Sequence, residues 1–206
     1  MKRAIILLGV ISGLIASSWV NAGFEVTEQS AGLGAEQSVT LEHKTTFNLG
    51  GNAVKEGEKM PLMWLKTSAL ESVSTKGNGK VRIYNVLVSV DTPVCVEQAV
   101  EFDRLAAKNK MFSDHLEFIT VSADTPFAQS RFITENKLSS DVSFLSDSFD
   151  HEFGKRTGAH IKELGLLSRA IIVVGKSNRI LHIQRVPELT QLPDLEQALE
   201  IAKSSI

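Results

Sequence analysis

The chain has 206 residues, 43% hydrophobic and 22% charged, with a formal net charge of −2. That length supports one domain with its own core, and the scattered Lys and Arg leave a nucleic-acid or anionic-membrane partner without an electrostatic footprint. A single cysteine, Cys95, rules out an internal disulfide, a Cys-x-x-Cys exchange site and a Cys-rich zinc site.

The first 22 residues read as a secretory signal peptide: Lys2 and Arg3, an apolar run from Ala4 to Ala16, and small residues Val20 and Ala22 before a cleavage after Ala22. The run is too short to span a bilayer, which takes roughly 20 apolar residues. The expected working chain therefore starts near Gly23 in a periplasmic or secreted setting, with no membrane attachment after cleavage. Residues 23–37, polar and glycine-containing, are expected to be a flexible leader, and residues 38–206 the folded domain.

Val39, Leu41, Phe47 and Leu49 alternate around a polar "EHKT" turn, which predicts a β-hairpin. The loop "NAVKEGEKMP" leads to short strands in "LMWLKTSALESVS", with Trp64 and Leu65 as expected core. "KVRIYNVLVSV" (80–90) is a continuous apolar run, the pattern of a strand covered on both faces. From Val94 the spacing turns helical, with Ala99, Phe102, Leu105 and Ala106 on one face and the acidic side read as solvated.

A second strand, "LEFITVSA" (116–123), runs into a helix over "FAQSRFITENKL". "VSFLSD" predicts a short strand and "SFDHEFGKRTGA" a short helix closed by Gly158. "SRAIIVVG" and "RILHIQRV" predict paired strands across a Lys-Ser-Asn turn, and "LPDLEQALEIAKSSI" an amphipathic C-terminal helix. The sum is an α/β fold with a mixed central sheet flanked by helices.

Strands 80–90 and 116–123 both end in Asp-Thr-Pro before a helix, at Asp91-Thr92-Pro93 and Asp124-Thr125-Pro126. Ligand chemistry in open α/β sheets gathers at such strand-to-helix junctions. With Thr92 as N-cap, Pro93 takes the first helical position and Cys95 the third. The unsatisfied N–H groups and the positive end of the helix dipole favour a thiolate there. Thr92 carries a hydroxyl three residues from the sulfur, close enough to bond it or a bound oxygen ligand. These residues leave two readings open, a reactive thiol and a buried cysteine acting as a small hydrophobe. Asp91, Asp124 and Thr125 read as helix caps, and the five histidines show no metal-ligand spacing.

"SVDTPVC", followed by Phe102, Leu105 and Ala106, resembles the peroxidatic-cysteine loop and helix of the thiol peroxidase subfamily of peroxiredoxins. "VSADTPFAQSRF" (121–132), "LLSRAIIVV" (166–174) and "VPELTQLPDLEQAL" (186–199) are similar to further segments of that subfamily, in unbroken order. The resemblance implies a thioredoxin-like fold and three site residues. Cys95 would attack a peroxide oxygen, Thr92 would orient the peroxide, and Arg169 would be the cation beside both. Without the resemblance, an ordinary salt bridge is the default reading of Arg169. The resemblance further implies a hydroperoxide substrate, an external thiol reductant (thioredoxin-like or of low molecular weight), a homodimer, and no metal or organic cofactor.

Two positions depart from the subfamily pattern. Val88 stands where Pro-x-x-x-Thr-x-x-Cys has its proline, and Ile133 stands where a resolving cysteine usually follows "SRF". They keep open an alternative of another class, a peroxiredoxin-like redox-sensing or binding protein that no longer turns over. A structural thioredoxin-fold protein with an inert Cys95 is the third reading.

Overall fold

The computed structural model describes residues 23–206, so the expected signal peptide lies outside the described residues. The element order is β1 (Ser38–Leu41), β2 (Thr45–Gly50), β3 (Trp64–Thr67), β4 (Ser72–Ser74), β5 (Val81–Val86), α1 (Pro93–Lys108), β6 (Leu116–Ser122), α2 (Pro126–Glu135), β7 (Val142–Ser146), α3 (Glu152–Thr157), β8 (His160–Ile161), β9 (Leu166–Leu167), β10 (Ala170–Val174), β11 (Ile180–Arg185) and α4 (Leu195–Lys203). A seven-stranded sheet runs β11-β10-β5-β6-β7-β3-β4, and a four-stranded one runs β1-β2-β8-β9. β5, β6 and β7 are parallel and the flanking pairs antiparallel, giving the expected mixed sheet.

Strand periodicity divides two cores. Val81 and Ile83 of β5 join α1, α4 and the hairpin on one face. Tyr84 and Val86 join Met63, Phe153 of α3 and Ala159 on the other. All six residues of β5 are buried, because both faces are covered. On α1 the predicted stripe of Ala99, Phe102, Leu105 and Ala106 is the buried one, and Phe102 meets Phe118 of β6 edge-on at 5.3 Å between ring centroids. Burying each such large side chain contributes about 1.5–3 kcal/mol, more than the helix's intrinsic propensity supplies.

Several expectations change. Trp64 is 60% exposed and only Leu65 (2%) is core, since neighbours on a strand point to opposite faces. The strand expected over 80–90 stops at Val86, after which the chain turns to enter α1. β8 and β9, two residues each, carry no sequence period that could reveal them. Residues 23–37, expected as a flexible leader, run along β11 and the segment before α4. Ala31 N donates to Arg185 O (2.9 Å), Arg185 Nε to Gly32 O (2.6 Å) and Thr27 N to Leu192 O (2.9 Å). They occupy an edge that would otherwise present unpaired backbone groups.

Gly158 closes α3 as expected, at φ 80°, in the left-handed region. A Cβ there would lie 2.5 Å from Gly34 N, so this turn demands glycine twice over. Among the described residues, no helix is long and apolar enough to cross a membrane.

Candidate active site

The site lies where β5 hands over to α1. Thr92 is the N-cap with extended backbone (φ −116°, ψ 140°), Pro93 is the first helical residue, and Cys95 falls in the first turn. No acidic side chain occupies that turn to compete with an anion for the exposed N–H groups. The Thr92 hydroxyl does not cap the helix; it donates to Ser89 O at 3.2 Å.

The two Asp-Thr-Pro junctions are bonded to each other. Asp124, read from the sequence as a helix cap, instead accepts from Ser89 Oγ (2.9 Å) and Val90 N (2.9 Å). Thr125 is the true cap of α2, accepting from Ala128 N at 3.3 Å. Asp91 pairs with Arg131 at 2.6 Å on the surface. The loop that delivers Thr92 and Cys95 is therefore pinned from the neighbouring parallel strand's end.

Arg169 stands just before β10 and is 1% exposed. Its Nη2 lies 3.5 Å from Cys95 Sγ and donates to Leu189 O at 2.9 Å, while Nη1 donates to Gln98 Oε1. Among the described residues no carboxylate lies within 4.0 Å of the guanidinium, so the default reading of a salt bridge is set aside. A buried cation needs a counter-charge. The group in contact that can become an anion is the Cys95 thiol.

Behind the guanidinium a polar line crosses the core. Gln98 Nε2 donates to Asn85 Oδ1 of β5, and Asn85 Nδ2 to Thr120 Oγ1 of β6 at 3.3 Å. Gln98, Asn85 and Thr120 are each 0% exposed. The acidic helix read as having a simple solvated side thus carries a buried amide one turn beyond the sulfur, where i+3 spacing puts both on one face. That spacing was the available signal for Gln98. The Leu189 carbonyl left none, because backbone contacts are not written in residue type.

A pocket of about 270 Å³ opens beside this group, lined by Leu41, Val88, Thr92, Val94, Leu166 and Arg169 among others. Its walls are aliphatic apart from Thr92, Thr190 and the guanidinium. Cys95 itself is 0% exposed, and Arg169 is the residue that both lines the pocket and touches the sulfur. Val88 is 6% exposed on the pocket wall. Its amide donates no hydrogen bond among the described residues, so proline can stand there without breaking one. Val88→Pro is expected to fold and to gain about 0.4–1 kcal/mol from a restricted unfolded chain, read as a higher denaturant midpoint; a loss of stability would show that the loop here rejects proline's φ. Ile133 on α2 packs against the core cluster that contains Cys95.

The Redoxin family profile matches residues 55–199. A thiol peroxidase of Halalkalibacterium halodurans is 39% identical over 161 residues, covering 78% of this chain and 94% of the relative. One from Clostridium acetobutylicum is 37% identical over 157 residues, covering 76% and 93%. Among solved structures, a peroxiredoxin-like protein from Aquifex aeolicus superposes with a TM-score of 0.76 at 26% identity, covering 85% of this chain and all of that one. A thiol peroxidase from Chromobacterium violaceum, at 20% identity, shares the fold with a TM-score of 0.68 over 81% of this chain and 95% of its own. With a lone thiol beside a buried arginine, on a thioredoxin-like fold, the chain belongs to the Redoxin family and, within it, to the thiol peroxidases, as a member without a resolving cysteine.

Proposed function

We propose that this peroxidase works through Cys95 alone, outside the cytoplasm, and is restored by an external thiol. The observation that carries the reading is Arg169: buried, without a carboxylate, and 3.5 Å from the one sulfur. The Cys95 thiolate attacks one peroxide oxygen, the O–O bond breaks, and the departing alkoxide or hydroxide takes a proton to leave as alcohol or water. Arg169 balances the thiolate and then the charge that develops on the departing oxygen. Thr92, on the pocket wall, orients the peroxide.

The product is a Cys95 sulfenic acid. Ile133 cannot resolve it, so an external thiol condenses with it, releasing water and leaving a mixed disulfide, and a second thiol equivalent frees Cys95. That thiol is thioredoxin-like or of low molecular weight. The substrate is hydrogen peroxide or a small organic hydroperoxide. Because Sγ has no exposed surface, the first turn of α1 must yield slightly for the peroxide to reach it. The basic, apolar and small-residue layout of residues 1–22 supports export to the periplasm or beyond. The family resemblance read from the sequence, with Phe127 (71%) and Phe149 (79%) exposed, supports a homodimer.

Purified protein mixed with one equivalent of hydroperoxide and no thiol is expected to consume it, gain a dimedone-reactive sulfenic acid and turn over no further. Added dithiol restarts consumption of further hydroperoxide. Continued turnover without thiol would exclude the external reductant, and sulfenylation without turnover at any thiol concentration would favour the sensor reading.

A further inference from the structure

The segment between β11 and α4 holds a second buried anion that the peroxidase reading does not use. Glu188 is 2% exposed, and five donors converge on its carboxylate: Thr40 Oγ1 (2.6 Å), Glu42 N (2.9 Å), His43 N (3.0 Å), Thr190 N (3.0 Å) and Thr190 Oγ1 (2.8 Å). Two of these amides belong to the β1–β2 turn, where Glu42 and His43 both sit at φ 53°, in the left-handed region that non-glycine residues disfavour. The carboxylate is what holds that turn closed against residues 187–190. Burial pushes its carboxyl up, but the hydrogen bonds from Thr40, His43 and Thr190 outweigh burial and hold it at about 2, so it stays ionised into strong acid.

The neighbouring peptide leads to the sulfur. Leu189 N donates to Thr40 O at 2.8 Å, and Leu189 O accepts from Arg169 Nη2 at 2.9 Å. That same Nη2 lies 3.5 Å from Cys95 Sγ. Leu189 is thus gripped between the hairpin and the guanidinium, and Leu41, Leu189 and Thr190, on either side of the knot, line the pocket.

We propose that Glu188 is a positioning residue: it ties the hairpin turn to residues 187–190, so that the Leu189 carbonyl holds Arg169 against Cys95. The proposal rests on the reading of Cys95 and Arg169 as the reacting pair. Glu188 touches neither substrate nor sulfur and acts through the Leu189 peptide.

The test compares wild type, Glu188→Ala and Glu188→Gln by three readouts: thermal melting, ultraviolet titration of the Cys95 thiolate, and kcat/KM for hydrogen peroxide with a dithiol. In both variants the thiolate titration is expected to move to higher pH, because the guanidinium is no longer held against the sulfur. kcat/KM is expected to fall roughly ten- to a hundredfold, as a misplacement on the order of 1 Å can cause. Gln is expected to restore only part of the loss, because its oxygen keeps one set of donors while its NH2 faces the other, whereas a merely space-filling Glu188 would be rescued fully by Gln. If Glu188→Ala is too unstable to titrate, Thr190→Val, which removes a single hydroxyl donor, moves the titration in the same direction by less. Folded variants with wild-type titration and kcat/KM would overturn the proposal. A wild type without peroxidase activity would instead remove the reading of the pair, and the titration would still decide whether Glu188 governs the contact between Arg169 and the thiolate.

Discussion

A Cys95→Ser protein is expected to remove hydroperoxide no faster than buffer, while keeping the wild-type fold. A thiol can become sulfenic acid because its thiolate form is a nucleophile toward a peroxide oxygen, and a free cysteine ionises at about 8.5. A serine hydroxyl is not ionised in that range and has no comparable oxidised state. The substitution is nearly isosteric at a fully buried position, and the hydroxyl oxygen can still accept from Arg169 Nη2. Stability should therefore change little, and circular dichroism with thermal melting checks that activity is lost through chemistry. Equal peroxide consumption by both proteins, measured with cumene hydroperoxide and hydrogen peroxide, would end the assignment of Cys95.

Arg169→Met is the second large effect. The guanidinium spans three acceptors, Cys95 Sγ, Gln98 Oε1 and Leu189 O. Removing it takes away the positive charge opposite the thiolate and the developing oxyanion. Losing one such aimed donor costs about 10²–10³ in rate, roughly 2.7–4 kcal/mol, and kcat/KM should fall by that order. It also strands the Gln98 oxygen and the Leu189 carbonyl in the interior, at about 1–3 kcal/mol each, so the melting temperature drops as well. Arg169→Lys keeps the charge but cannot fork to three partners. It should recover part of the rate and little of the stability. A methionine variant retaining kcat/KM within about threefold, far less than one lost donor costs, would leave the arginine structural only.

The strands and helices that enclose the core were legible because their periods report what covers them. The run 81–86 is apolar on both sides and is buried on both, and the stripe on α1 is the face that packs. Trp64 misled because its type suits a core, whereas the pleat sends it outward while Leu65 goes in. Asp124 was misread for a different reason. Its place before Thr125-Pro126 fits a cap, but the parallel pairing of β5 with β6 brings Ser89 and Val90 within reach of its carboxylate.

Sequence alone determined that this chain has one thiol, that the thiol opens a helix behind Thr92-Pro93, and that no second cysteine can resolve it. Those are local or compositional facts, carried by residues within one helical turn or by a count. Tertiary structure decided what surrounds the sulfur. Arg169 lies 74 positions from Cys95, and the contact arises because β10 lies antiparallel beside β5 and so carries the arginine back toward the start of α1. Gln98 and the Leu189 carbonyl meet the guanidinium by the same route: a buried cation favours hydrogen-bond partners, and only the folded chain determines which groups lie within 3.5 Å of it.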